Sequence, residues 1–69
     1  MLSATVGAYG GSGSRTLRRV YQVTCEDEAI GLDLVAHHPS LDPNWRLRVE
    51  RTRPVKEYAS PGVDEWIDV

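Results

Sequence analysis

Cys25, His37 and His38 are the residues of this 69-residue chain whose side chains could bind a metal ion or act in nucleophilic catalysis. A structural zinc site usually takes four ligands from pairs of short spacings, and a chain with one cysteine has no such pairs. Asp33, four residues before His37, adds a single candidate ligand. No pattern ties Cys25 to a histidine, and the chain has little room to build a pocket around the two. We therefore expect no catalytic site, no metal and no cofactor.

A glycine-rich segment, Gly7-Ala-Tyr-Gly-Gly-Ser-Gly-Ser14, could cradle a phosphate. A phosphate loop ends in Gly-Lys-Ser/Thr, follows a strand and precedes a helix. We expect none of these three features for this segment. Its composition is instead typical of a flexible linker. We predict that residues 1–14 form an extended Gly/Ser-rich arm, which becomes ordered against a neighbouring subunit.

Arginines interleaved with Tyr21 and Trp45 are the best evidence for a nucleic-acid surface, because aromatic rings with basic neighbours bind single strands. These arginines are Arg15, Arg18, Arg19, Arg46, Arg48, Arg51 and Arg53. Alternation, however, puts Trp45 on the face opposite Arg46 and Arg48, and the formal net charge is −2. Such a binder would need its arginines on one exposed face and would show strongly salt-dependent binding. It remains the least favoured alternative.

The short chain limits how much apolar surface can be buried. A domain of this size buries about 60% of the surface that its unfolded chain exposes, and commonly needs a disulfide, a metal or association. With a single cysteine, no disulfide can form within the chain. Apolar residues make up 41% of the chain and charged residues 26%, so we expect it to fold. No apolar run is long enough to span a membrane and no secretory signal is evident, which predicts a soluble, unexported protein without a membrane partner.

Three strands and one helix are predicted. Residues 15–25 and 45–50 alternate between apolar and polar side chains, and residues 63–69 form a last strand after the Pro61-Gly62 turn. Arg19 and Val20 break the first alternation, so either both faces of that strand contact protein or Arg19 is a protective edge charge. Acids at residues 26–28 and histidines before Pro39 favour a short helix between the first two strands.

The predicted fold class is α+β, mostly β: a small three-stranded antiparallel sheet with one short helix on one face. The second and third strands should form a hairpin. We expect residues 15–69 to be a single small domain preceded by the arm at residues 1–14.

Charge is distributed unevenly along the chain. Every Lys and Arg lies between Arg15 and Lys56. From Glu57 onward all charged residues are acids, namely Glu57, Asp64, Glu65 and Asp68. Cross-strand pairing with arginines of a neighbouring strand would explain this acidic stretch, at about 0.2–1 kcal/mol per pair. Recognition of a basic partner is the alternative.

The segment Ser14-Arg-Thr-Leu-Arg-Arg-Val-Tyr-Gln-Val-Thr24 resembles the opening strand of small structural proteins of tailed bacteriophages, encoded near the head, neck and tail genes. Those proteins run from a Tyr-Gly-Gly-like arm into an Arg-Thr-rich strand and close with a Ser-Pro turn before a Trp-containing strand. Ser60-Pro61 and Trp66-Ile-Asp-Val69 occupy the closing positions here. The resemblance covers about half of the chain and carries over no functional residue.

The resemblance implies a non-enzymatic virion component that packs against copies of itself or other virion proteins. Its location would then be the virion, and otherwise the cytoplasm. The candidate interface residues are Tyr9, Gly10, Gly11, Arg15, Arg18, Arg19, Arg46, Arg48, Asp64, Glu65 and Asp68. A small inhibitor or regulator that covers a host protein is the main alternative, and it would be a monomer or dimer with one partner.

Overall fold

The computed structural model describes residues 1–55 and 60–69. The elements in chain order are β1 (Leu2–Ser12), β2 (Arg15–Cys25), α1 (Glu28–Ala36), β3 (Arg46–Pro54) and β4 (Gly62–Asp68). The four strands form one antiparallel sheet in the order β3-β1-β2-β4. The mostly β class and the single short helix are as predicted. Lys56 and Glu57 lie outside the described residues.

The first strand corrects the predicted arm. Leu2–Ser12 pairs with β2 along its whole length and with β3 over Leu2–Tyr9, so it is an interior strand of a four-stranded sheet. A two-residue turn at Gly13-Ser14 joins it to β2. Gly13 has φ +65° and no other residue of the described chain except Gly62 has positive φ, which matches the glycine-first hairpin turn.

The predicted hairpin between the last two strands is wrong. β3 and β4 lie at opposite edges of the sheet, separated by β1 and β2. Pairing between strands that are distant in sequence sets this order. β1 pairs with β3, and β4 pairs with β2 from Arg19 to Thr24. The alternation within each strand predicts a half-buried strand but not which neighbour it takes.

One face of the sheet, the inner face, is covered by α1 and carries the core. Its fully buried apolar side chains are Ala4, Val6, Ala8, Tyr21, Val23 and Cys25, with Val35 from the helix. Burying a valine side chain contributes about 1.5–3 kcal/mol. The helix begins after Asp27, whose Oδ1 accepts from the Ile30 amide at 3.0 Å. No helix in the described part of the chain is long and apolar enough to cross a membrane.

Gly31 brings the helix close to the sheet. A Cβ at this position would lie 3.0 Å from Cys25 Sγ, tighter than ordinary van der Waals contact. The helix therefore accepts a glycine in its interior, at a cost of about 1 kcal/mol relative to alanine, so that it can pack directly on β2.

Candidate interaction surface

The second face of the sheet, the open face, carries opposite charges on its two outer strands. Two β-bulges arrange them. Val6 pairs with Val49 and Thr5 with Arg51, which leaves Glu50 as the extra residue of β3. In β4, the same irregularity makes Asp64 the extra residue. Because a bulge interrupts the alternation, it can turn two successive charged side chains to one face.

A groove of about 390 Å³ runs between these outer strands on the open face. Ser3, Thr5 and Gln22 line its floor, where Thr5 Oγ1 donates to Gln22 Oε1 at 3.2 Å. Its basic side is lined by Arg51 and Arg53, and its acidic side by Asp64 and Glu65. Thr24 Oγ1 donates to Asp64 Oδ2 at 2.7 Å, which fixes one acid of that side.

A cluster of three polar side chains ties β3, β1 and β2 together on the open face. The Tyr9 hydroxyl donates to Glu50 Oε2, and Arg18 Nη2 donates to Glu50 Oε1 at 2.7 Å. The Arg18 Cζ also lies 5.8 Å from the Tyr9 ring centroid. Gly7 makes room for the cluster, since a Cβ there would lie 2.8 Å from Glu50 Cδ and 2.9 Å from the Tyr9 ring.

The same contacts alter the acid–base behaviour of the cluster. Donation by the Tyr9 hydroxyl, followed by donation from Arg18, lowers the pKa of the Glu50 carboxyl below its ordinary value of 4.5. The hydrogen bonds to Glu50 and Tyr9 raise the pKa of Arg18 in turn. Glu50 therefore stays ionised to a lower pH than an isolated glutamate does.

Arg19 organises a second cluster, on the inner face. Its guanidinium lies between the rings of Trp45 and Trp66, with Cζ 5.3 Å and 4.4 Å from their centroids. Nε donates to Asp68 Oδ1 and Nη1 to the Ser40 carbonyl oxygen, both at 2.6 Å. Because β2 is an interior strand, Arg19 is not an edge charge. The alternative expectation is that both faces of this strand contact protein; Arg19 contacts protein on the inner face, which is one half of it.

The outer edges of the sheet belong to β3 and β4. Among residues 1–55 and 60–69, no strand pairs with either outer edge. β3 carries four arginines and one glutamate, whereas β4 carries three acids and no basic residue. Exposed apolar side chains accompany the acidic edge: Trp66 is 40% exposed, Ile67 61% and Val69 70%.

The candidate interface residues from the sequence fall into two groups. Several are engaged within the chain: Tyr9 and Arg18 with Glu50, Arg19 with Asp68, Asp64 with Thr24, and Gly10 against the indole of Trp45. Pairing of Asp68 with Arg19 fits the cross-strand explanation of the acidic stretch. Others are exposed, namely Gly11 and Arg15 near the hairpin turn, Arg46 and Arg48 on β3, and Glu65 on β4.

Sequence reasoning missed Glu50, Trp66 and Ile67 as surface determinants. The alternation of residues 45–50 did place Glu50 on the charged face. Its partners, Tyr9 and Arg18, come from strands that are distant in sequence. The run Trp66-Ile67 contains the signal for an exposed apolar edge, because two successive strand residues point to opposite faces and only one can reach the core.

Cys25, His37 and His38 occupy three different settings. Cys25 is buried beside Gly31, and burial raises the pKa of its thiol, with Asp27 adding a smaller effect. His37 Nδ1 lies 3.2 Å from Asp33 Oδ1 on the exposed side of the helix. His38 Nδ1 lies 2.7 Å from Ser40 Oγ, and its ring packs edge-on against Tyr21. The described residues contain no group of three or more His, Cys, Asp or Glu side chains arranged to hold a metal ion.

No protein-family model, curated protein or solved structure matches this chain.

Proposed function

We propose that this protein is a non-enzymatic structural subunit of a large protein assembly, which packs against other subunits through the edges of its sheet. The resemblance of residues 14–24 and 60–69 to small structural proteins of tailed bacteriophages makes a head, neck or tail component of a virion the specific form of the proposal. The site residues are those of the two outer strands rather than those of a pocket.

The observation that carries the proposal is the composition of β4. Its outer edge is paired with no strand of the described residues, and it carries Ile67, which is 61% exposed, and Trp66, which is 40% exposed. An edge strand presents unpaired backbone N–H and C=O groups that can pair with another chain, and proteins that remain monomeric usually protect such edges. Adding a strand supplies backbone hydrogen bonds, while the exposed side chains supply apolar burial.

The small core supports the same proposal. Only seven apolar side chains are fully buried among the described residues, and Ala4, Ala8 and Cys25 are three of them. Small side chains contribute little burial each, since stabilisation scales with the apolar area removed from water. Association would bury the apolar surface that the isolated chain leaves on β4.

Substitution of one exposed isoleucine tests the proposal, with a second isoleucine as a matched control. Ile67→Lys introduces a positive charge at the acidic β4 edge, whereas Ile30→Lys introduces the same charge on α1, where the residue is 38% exposed. We expect the unaltered protein to form large particles by light scattering and negative-stain electron microscopy. Ile67→Lys should lose them and Ile30→Lys should keep them. Particles that persist in the Ile67 variant would contradict the role of β4.

Single-stranded nucleic acid is a second candidate ligand, because one observation favours it. Arg46, Arg48, Arg51 and Arg53 are all exposed on β3, which is the clustering such a binder would need. Asp64 and Glu65 on the same face oppose it, and Trp45 packs on the inner face against Gly10. Fluorescence anisotropy with a labelled oligonucleotide at two salt concentrations tests it, since phosphate contacts make affinity fall steeply with salt.

A further inference from the structure

The two outer edges are complementary to each other. β3 carries a net charge of +3 from four arginines and one glutamate, and β4 carries −3 from Asp64, Glu65 and Asp68. We infer that β4 of one copy pairs with β3 of the next copy, so that the sheet continues from subunit to subunit. This inference rests on the proposed function and names its partner, a second copy of the same chain.

Strand direction permits this pairing by simple repetition of the subunit. Neighbouring strands in the order β3-β1-β2-β4 are all antiparallel, so β3 and β4 also run in opposite directions. A copy placed in the same orientation beside β4 therefore presents its β3 as a new antiparallel neighbour. The strands have compatible lengths of nine and seven residues.

Side chains match on both faces of the proposed junction. On the inner face, Val63 and Trp66 of β4 would adjoin Leu47 and Val49 of β3, whose half-buried side chains already pack at the border of the core. On the open face, Glu65 would adjoin exposed arginines such as Arg48 and Arg51. Opposite charges across neighbouring strands contribute about 0.2–1 kcal/mol per pair.

Charge also argues against symmetric dimers. Pairing β3 with β3 would place arginines opposite arginines, and pairing β4 with β4 would place acids opposite acids, which destabilises a sheet. The favoured junction is therefore heterologous, with a different surface contributed by each copy. Because a heterologous junction leaves one edge open at each end, it builds either a closed ring or an open helical filament.

A charge-swap experiment tests the inference. The first variant, Arg48→Glu with Arg51→Glu, has two acidic edges, and the second, Asp64→Arg with Glu65→Arg, has two basic edges. Each alone should need about tenfold more protein to assemble, because two favourable charge contacts are replaced by repulsive ones. An equimolar mixture should assemble like the unaltered protein, since each junction again joins an acidic edge to a basic one.

Controls separate the pairing from folding and from the proposed function. Glu26→Arg reverses an exposed charge away from both edges and should leave assembly unchanged. Since Asp64 accepts from Thr24, Glu65→Arg alone serves if the double variant does not fold by circular dichroism. If the unaltered protein assembles and the edge variants assemble equally well, the edge pairing is overturned and the proposed function stands. The same holds if the two charge-swap variants fail to assemble when mixed. An unaltered protein that stays monomeric would overturn both.

Discussion

The Arg19 guanidinium lies over the Trp66 ring of the last strand, with Cζ 4.4 Å from the ring centroid. Arg19 belongs to β2 and Trp66 to β4, and Asp68 of β4 accepts from Arg19 Nε two residues further on. One side chain of an interior strand therefore anchors the outer strand that we propose as half of the junction. Through the Ser40 carbonyl, Arg19 also links that strand to the loop between α1 and β3.

Replacing Arg19 should destabilise the fold much more than replacing its acidic partner. The Arg19 side chain is 16% exposed and Asp68 66% exposed. Arg19→Ala loses the aromatic contacts and the charged hydrogen bonds, so we expect a loss of about 2–4 kcal/mol in the free energy of unfolding. Asp68→Asn should cost less than about 1 kcal/mol, as exposed ion pairs do. Urea unfolding followed by circular dichroism measures both, and equal losses would contradict this account of Arg19.

The contact between Gly31 and Cys25 predicts a coupled pair of substitutions. Gly31→Ala in the unaltered protein gains helix propensity but crowds the Cys25 sulfur, so we expect a loss of about 1–2 kcal/mol. In a Cys25→Ala background the sulfur is gone, and Gly31→Ala should stabilise the protein by about 0.5–1 kcal/mol. A double-mutant cycle from thermal unfolding measures the coupling. Additive effects would show that the close approach does not constrain residue 31.

Glu50 predicts a loss of stability in acid. Its pKa is lowered in the folded protein, so the stabilisation is present above its ordinary pKa of 4.5 and disappears as the pH falls through the lower folded value. The free energy of unfolding of Glu50→Gln should therefore decrease less on acidification than that of the unaltered protein. Tyr9→Phe removes the largest cause of the lowered pKa and should act in the same direction. The exposed Glu26→Gln is the control, and an acid transition identical in all four proteins would contradict the cluster's role.

Deleting residues 1–14 should abolish the fold. A flexible arm could be removed without loss, but β1 pairs with both β2 and β3 and supplies Ala4, Val6 and Ala8 to the core. We expect the truncated chain to lack the β-sheet signal in circular dichroism and any cooperative thermal transition. A truncated chain that unfolds cooperatively would contradict an interior position for β1.

Composition explains why β1 was missed from the sequence. Its glycines at residues 7, 10, 11 and 13 are typical of linkers, yet Leu2, Ala4, Val6 and Ala8 alternate with polar or small residues in the two-residue period of a strand. Two of these glycines are required by packing rather than by flexibility. Gly7 accommodates Tyr9 and Glu50 on the open face, and Gly10 accommodates the Trp45 indole on the inner face.

The remaining elements were predictable because their signals are local. Alternation predicted β2 and β3, and the Pro61-Gly62 turn with the apolar residues after it predicted β4. The acids before Ala29 with the histidines before Pro39 predicted α1. Strand order and the two bulges depend on which distant residues meet, so the clusters around Arg19 and Glu50 could not be located from local pattern. The sequence did predict an uneven charge distribution, but only the sheet order shows that the two charges lie on opposite edges.

The solution mass of the full-length protein, measured by light scattering over a range of protein and salt concentrations, tests the assembly proposal most directly. We predict a mass many times the 7.7 kDa of one chain, which increases with protein concentration and decreases as added salt screens the charged edges. A single species of 7.7 kDa at every protein and salt concentration would contradict assembly through the sheet edges.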